Sequence, residues 1–239
     1  MLEFVLIGLA VGSFLNVLIY RLNTQDKVPK FWEGRSMCPK CHHQLSWQDN
    51  IPLASFIFLR GRCRYCQKNI SWQYPIVELV TVIVFVLIGF HPVLWLIGSV
   101  FIVIFFSDWI YGLIPDEAVA VGIVLSLLRY LSDLGNLRAA TATGFISALA
   151  FLLIVVATRF KGMGLGDVKL AFLMGFLLGW PNALVAFWSA FILGGIGAAI
   201  LLLLKRTKFS DTIPLGPFLV SGVIISALWS KQLLHLVLP

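Results

Sequence analysis

Among the acidic residues inside or at the edge of apolar stretches, the candidates are Glu78, Asp108, Asp116, Glu117 and Asp167. A carboxylate facing hydrocarbon is costly, so each marks a functional candidate. Asp108 opens the segment Asp108-Trp-Ile-Tyr-Gly-Leu-Ile-Pro-Asp116, and Asp167 closes Gly162-Met-Gly164-Leu-Gly166-Asp167 at the start of an apolar run. The glycines allow close backbone approach or positive φ, and an acid at a helix N-terminus is favoured by the helix dipole. Two such carboxylates at one depth could meet across a bundle. Like charges that close do not both ionise readily, so one keeps its proton while the other serves as base. That pair can activate water and protonate a leaving amine. Singly, each acid has a plainer reading: Asp167 as a helix N-cap, Asp108 as a solvated residue at a helix end. Glu78 and Asn16 each fall about one turn inside an apolar stretch and could join a polar pocket with the two aspartates. Glu78 could equally snorkel to the surface or pair with an arginine.

The second chemical signal is Cys38-Pro-Lys-Cys41 and Cys63-Arg-Tyr-Cys66, two C-x-x-C pairs separated by 21 residues. Two such knuckles can set four thiolates tetrahedrally around zinc, although the gap is slightly longer than the usual ~15–20. Lys40, Arg62 and Arg64 favour the thiolate form. A redox dithiol or two disulfides compete with this reading, but reducing compartments oppose disulfides and no thioredoxin-like pattern surrounds either pair. Four thiolates leave no open position for catalytic water, so a bound zinc would be structural.

The elements that must position these groups are membrane helices. Of 239 residues, 59% are hydrophobic and 12% charged, with mean hydropathy +0.94; soluble domains carry about 25% charge. Eight apolar stretches are expected to span: Leu2–Tyr20, Tyr74–Phe90, Val93–Ser107, Glu117–Leu134, Arg138–Thr158, Val168–Gly179, Asn182–Leu204 and Pro217–Val237, the third and sixth being short. Glu3 and the lack of a small-residue cleavage site argue against a signal peptide, so the first stretch reads as a retained span. The organisation expected is a first helix over 1–20, a polar insertion over 21–73 holding all four cysteines, and a bundle over 74–239.

With the N-terminus outside, only Arg129, Arg138 and Lys231 of the 18 basic residues fall on the outer side. Arg21, Lys27, Lys30, Arg35, Lys40, Arg60, Arg62, Arg64, Lys68, Arg159, Lys161, Lys169, Lys205, Arg206 and Lys208 fall inside, as the positive-inside rule requires. The net charge of +7 therefore reads as orientation and anionic-lipid contact and not as nucleic-acid binding. Both Asp108 and Asp167 then lie at the cytoplasmic end.

The ordered set of motifs resembles the bacterial type IV prepilin peptidases, which are bifunctional leader peptidases and N-methyltransferases and aspartic proteases of the GxGD type. It runs from Gly12-Ser-Phe-Leu-Asn16 through both cysteine pairs, Leu45-Ser-Trp47-Gln-Asp49-Asn50-Ile-Pro52, Tyr74-Pro75-Ile-Val-Glu78 and Gly164-Leu-Gly166-Asp167 to Ile213-Pro-Leu-Gly216-Pro217. The resemblance implies an all-α polytopic fold with a zinc-binding cytoplasmic insertion, located in the bacterial inner membrane. It implies that Asp108 and Asp167 are the catalytic pair, with Gly164 and Gly166 as supporting motif. Asp108 is preferred to Asp116 because the family aspartate stands six residues before Ile114-Pro115. The implied substrate is a pilin-like precursor of the type IV pilus or secretion systems, with a short basic leader before an apolar helix. Membrane lipid is the other partner, and no nucleic acid is expected. His42 departs from the family pattern, where glycine is common. The implied methyltransferase would need S-adenosylmethionine, for which no residue pattern singles out a site. A proton- or cation-coupled transporter is the alternative, but its acids would sit near the midplane. A non-catalytic scaffold using the cysteine knuckles is a third.

Overall fold

The computed structural model describes residues 1–24, 34–130, 134–160, 162–204 and 213–237. Lys27, Lys30, Lys161, Lys205, Arg206 and Lys208 of the orientation argument lie outside the described residues. The described residues are helical, with no strand among them. The helices are α1 (Leu2–Asn23), α2 (Ala54–Phe58), α3 (Gln73–Ile88), α4 (Pro92–Tyr111), α5 (Asp116–Tyr130), α6 (Leu134–Ala157), α7 (Leu165–Leu178), α8 (Asn182–Leu203) and α9 (Gly216–Val237), plus a 3-10 turn at Trp47–Asn50. The chain divides into two compact units, Met1–Phe106 and Ser107–Pro239.

Each of the eight apolar stretches forms a helix, but they are not all alike. Five helices, α1, α4, α6, α8 and α9, are long and apolar enough to cross a membrane, which makes this a multi-pass membrane protein. The helices α3 and α7 have 16 and 14 residues, only about 21–24 Å at 1.5 Å per residue. Hydrocarbon is ~30 Å thick, so among the described residues five of the eight expected spans are long enough to cross it and the count of eight is not confirmed. The third stretch, expected to be short, is instead 20 residues long. It continues past Asp108 to Tyr111 and stops where Gly112 takes φ +65, the left-handed conformation that commonly ends helices.

Small residues hold the helices together, as expected where lipid removes the hydrophobic drive between them. In the first unit, a Cβ on Gly8 would come 2.9 Å from Val82 Cα, and one on Gly12 would come 2.7 Å from Glu78 Cα. The Gly8-x-x-x-Gly12 face therefore lets α1 and α3 approach backbone to backbone. Phe4, Phe85 and Phe90 gather around Trp95, with Phe85 stacked on the indole at 4.8 Å. In the second unit, Gly175 of α7 fits against Thr143, Gly144 and Ser147 of α6, and Gly222 of α9 fits against Ala186 and Ala190 of α8. Many large apolar side chains remain on the surface, including Leu6, Ile83, Leu153, Ile196 and Leu203. Faces of that kind need a lipid solvent or a partner.

Candidate active site and metal centre

In the first unit the two cysteine pairs fold into matching knuckles. Isolated bridges Met37–Gln44 and Arg62–Asn69 close each one. Cys38 N–H donates to His43 O and His42 N–H to Cys38 O, at 3.0 and 2.9 Å; Cys63 N–H donates to Lys68 O and Gln67 N–H to Cys63 O, both at 2.9 Å. The residue after each second cysteine has positive φ, +55 at His42 and +57 at Gln67. This accounts for glycine being common where this chain has His42. Lys40 Nζ reaches across to Asn69 O at 3.1 Å, and the His43 and Tyr65 rings lie 3.7 Å apart.

All four sulfurs lie within 4.8 Å of one another, and all four cysteines are free thiols. Tetrahedral zinc with Zn–S ~2.3 Å requires S···S of roughly 3.8 Å, so the donor set fits a metal ion after small adjustment. Burial pushes the Cys63 thiol up, but the backbone N–H groups of Cys66 and Tyr65 outweigh it and bring it down to about 7. The backbone of His43 lowers Cys41, yet burial and the neighbouring Cys38 and Cys66 sulfurs raise it to about 11. Sulfurs this close compete for protons, and a cation among them would relieve the competition.

Asp49 ties the second knuckle to the 3-10 turn. Its side chain is 3% exposed. It accepts from Ser46 N–H at 3.1 Å, Ser46 Oγ at 2.8 Å, Arg64 Nε at 2.8 Å and Tyr65 OH at 3.1 Å. Burial works against the charge, but the Ser46, Arg64 and Tyr65 donors hold the carboxyl below the ordinary aspartate range.

Asn16 and Glu78 are both buried. Asn16 Nδ2 donates to Tyr74 O at 3.0 Å and Gly12 O at 3.3 Å, while its Oδ1 has no partner among the described residues. Glu78 accepts the N–H of Leu53 at 2.8 Å. It is therefore neither snorkelling nor, among the described residues, paired with an arginine. Its carboxylate holds the insertion to α3 at Leu53, which has φ +57.

In the second unit the two aspartates come from separate helices. Asp108 lies within the last turn of α4, 6% exposed, so it is not the solvated helix end that the sequence allowed. Its Oδ2 accepts the N–H of Gly216, the first residue of α9, at 2.8 Å. A Cβ on Gly216 would stand 2.7 Å from that oxygen. Asp167 is the third residue of α7, not its N-cap. Gly164 holds the cap position in extended conformation and donates its N–H to Asp167 Oδ2 at 3.1 Å. Gly166 is the close-approach glycine, since a Cβ there would meet Ile114 Cβ at 3.2 Å. Asp108 and Asp167 are near enough for their charges to interact. Asp116 stays apart from this arrangement: both its oxygens accept from Lys169 Nζ, at 2.6 and 2.8 Å, and its side chain is 69% exposed.

Two family profiles cover most of the chain. The Bacterial Peptidase A24 N-terminal domain matches residues 6–91, and the Type IV leader peptidase family matches residues 95–199. The prepilin leader peptidase/N-methyltransferase of Aeromonas salmonicida (strain A449) is 30% identical over 264 residues, covering 95% of this chain and 90% of the relative. The chain belongs to the type IV leader peptidase family. Proteins of the same description from Dickeya chrysanthemi, 34% identical over 94% of this chain and 91% of the relative, and Pseudomonas aeruginosa, 28% over 96% and 90%, are similar along their length. No solved structure matches.

Two features of this leader peptidase site were not read from the sequence. In the sequence, Gly216 stands out only as part of Ile213-Pro-Leu-Gly216-Pro217, where a glycine and proline open an apolar run. The Asp116–Lys169 pair carried no signal, because its members are 53 residues apart.

Proposed function

We propose that this chain is a prepilin peptidase, an aspartic endopeptidase that removes the short basic leader from type IV prepilin or pseudopilin precursors. Asp108 and Asp167 form the dyad, at the cytoplasmic face of the bacterial inner membrane. The observation that carries this reading is that the two carboxylates lie in one unit, at the end of α4 and the start of α7, and each has one oxygen fixed by a glycine N–H, from Gly216 and Gly164. Fixing Oδ2 of each leaves Oδ1 to handle protons. The ionised carboxylate takes a proton from water as the water oxygen adds to the scissile carbonyl carbon. The protonated carboxyl gives its proton to the carbonyl oxygen. On collapse the C–N bond breaks, the carboxyl that took the water's proton gives it to the amine nitrogen, and a hydroxyl of the tetrahedral diol returns its proton to the other carboxylate, so the dyad is singly protonated again.

N-methylation of the new N-terminus from S-adenosylmethionine is the second proposed activity, supported by the names of the relatives. Structural zinc at Cys38, Cys41, Cys63 and Cys66 would hold the insertion folded. The three-part organisation, 1–20, 21–73 and 74–239, is retained as a functional division, with the insertion attached through Glu78. The transporter alternative gains no support from acids held by backbone N–H groups at helix ends. The test is to reconstitute purified protein with a prepilin and look for a shortened product. An intact precursor after prolonged incubation with wild-type protein would reject the proposal.

A further inference from the structure

A groove lies between α5, α6 and α7 of the second unit, with a volume of about 380 Å³. Its walls are Val119, Ala120 and Ile123 of α5, Ala148 of α6, and Val168 and Phe172 of α7. Its mouth is the Asp116–Lys169 ion pair. The groove begins one residue beyond Asp167. Along α5 it runs from Asp116 to Ile123, about 10 Å at 1.5 Å per residue, or two helical turns.

We infer that this groove receives the first two turns of the substrate's apolar helix, with Asp116 taking a basic residue of the leader. The inference rests on the prepilin peptidase reading and names where that substrate docks. Three observations support it. The order of chemistry along the groove, acid at the mouth and apolar beyond, matches a basic leader followed by an apolar helix. The junction between those two parts of the substrate would stand at the level of Asp167, which precedes Val168 in the same helix. Third, the acid at the mouth, Asp116, keeps its side chain 69% exposed while paired with Lys169. An exposed acid can exchange one cationic partner for another, which an anionic lipid headgroup does not supply. Lys169 then acts as the resident cation that the leader displaces. An exposed ion pair is weak, so the exchange is not prohibitive. Ala120 and Ala148 supply the open space, and the groove takes helix side chains, not a whole small molecule.

Two experiments decide it. In the first, a photo-crosslinking residue replaces Ala148 in an Asp167→Asn background, which retains uncut substrate. The purified protein is reconstituted in vesicles of phosphatidylethanolamine and phosphatidylglycerol with a prepilin. Crosslinks mapping to the first two turns of the prepilin's apolar helix are expected. Crosslinks to lipid alone overturn the inference. The second uses Ala148→Trp, which fills the groove, and compares a full prepilin with a soluble peptide bearing only the leader and junction. The expected result is that the ratio of kcat/KM for prepilin over peptide falls about tenfold or more, the scale of discrimination in apolar pockets. An unchanged ratio overturns the inference. If wild-type enzyme cuts prepilin while both results are negative, docking fails and the peptidase reading stands; if wild-type enzyme cuts nothing, the peptidase reading itself fails.

Discussion

The backbone N–H of Gly216 holds Asp108 by its Oδ2 at 2.8 Å, across 108 residues of sequence. No side chain larger than hydrogen fits there, because a Cβ on Gly216 would lie 2.7 Å from the same oxygen and 3.0 Å from Asp108 Cβ. The start of α9 is thereby part of the proposed dyad.

Gly216→Ala is accordingly expected to reduce prepilin cleavage severely. Losing one oriented donor at a catalytic group costs on the order of 10²–10³ in rate. The change should appear in kcat more than in KM, since the displaced group is a reacting carboxylate. Steady-state kinetics on reconstituted enzyme provide the check, and a variant with wild-type kcat would remove Gly216 from the site.

Asp108→Asn and Asp167→Asn should each abolish cleavage while expression and membrane insertion persist, because each carboxylate depends on its partner to share one proton. Asp116→Asn should keep substantial turnover and show its defect in KM, given that Asp116 faces Lys169 and not the dyad. An inactive Asp116→Asn beside an active Asp108→Asn would transfer the catalytic role.

About one zinc per chain is expected by elemental analysis, lost in Cys41→Ser or Cys66→Ser. His42→Gly offers a separate check on the knuckle geometry. His42 is exposed with φ +55, and relieving a left-handed non-glycine residue is worth about 1 kcal/mol. Glycine should therefore retain zinc and raise resistance to a chelator; a loss of zinc would contradict the conformation.

Asp49 sets an acid limit on the insertion. Its carboxyl titrates below the ordinary value because Ser46, Arg64 and Tyr65 donate to its charged form. Its stabilising contribution is complete above the unfolded value of ~3.9 and is lost as pH falls through the lower folded value. Zinc release by thiolate protonation also occurs in acid, so the measurement is the difference between wild type and Asp49→Asn. That difference in protease resistance of the insertion should be constant from neutral pH to about 5 and shrink below. A difference that grows in acid would show the wrong sign.

At the crossing of α1 and α3, Gly12→Ala places a methyl group 2.7 Å from Glu78 Cα. Backbone cannot yield as a flexible side chain would, and overpacking costs about 1–3 kcal/mol. Thermal unfolding in detergent should shift down, and unchanged stability would mean the helices are farther apart than described.

The amino-acid sequence by itself determined the helices, the paired cysteine knuckles and the identity of the acids worth attention. These depend on local features: uninterrupted apolar runs, C-x-x-C spacing, and carboxylates placed where charge is costly. It also located the break between α7 and α8 at Gly179–Asn182. Local pattern was less able to fix helix length, so α4 runs past Asp108 where a short span was expected, and the α3 and α7 runs form helices of only 16 and 14 residues. The tertiary structure alone decided which backbone groups hold the carboxylates. Gly216 for Asp108, Lys169 for Asp116 and Leu53 for Glu78 are contacts over 108, 53 and 25 residues. Nothing in a linear pattern encodes a partner at such separation, because the pairing follows from how small residues let helices approach. Gly8, Gly12, Gly175 and Gly222 set those approaches, and their role becomes visible only once the opposing backbone is in place.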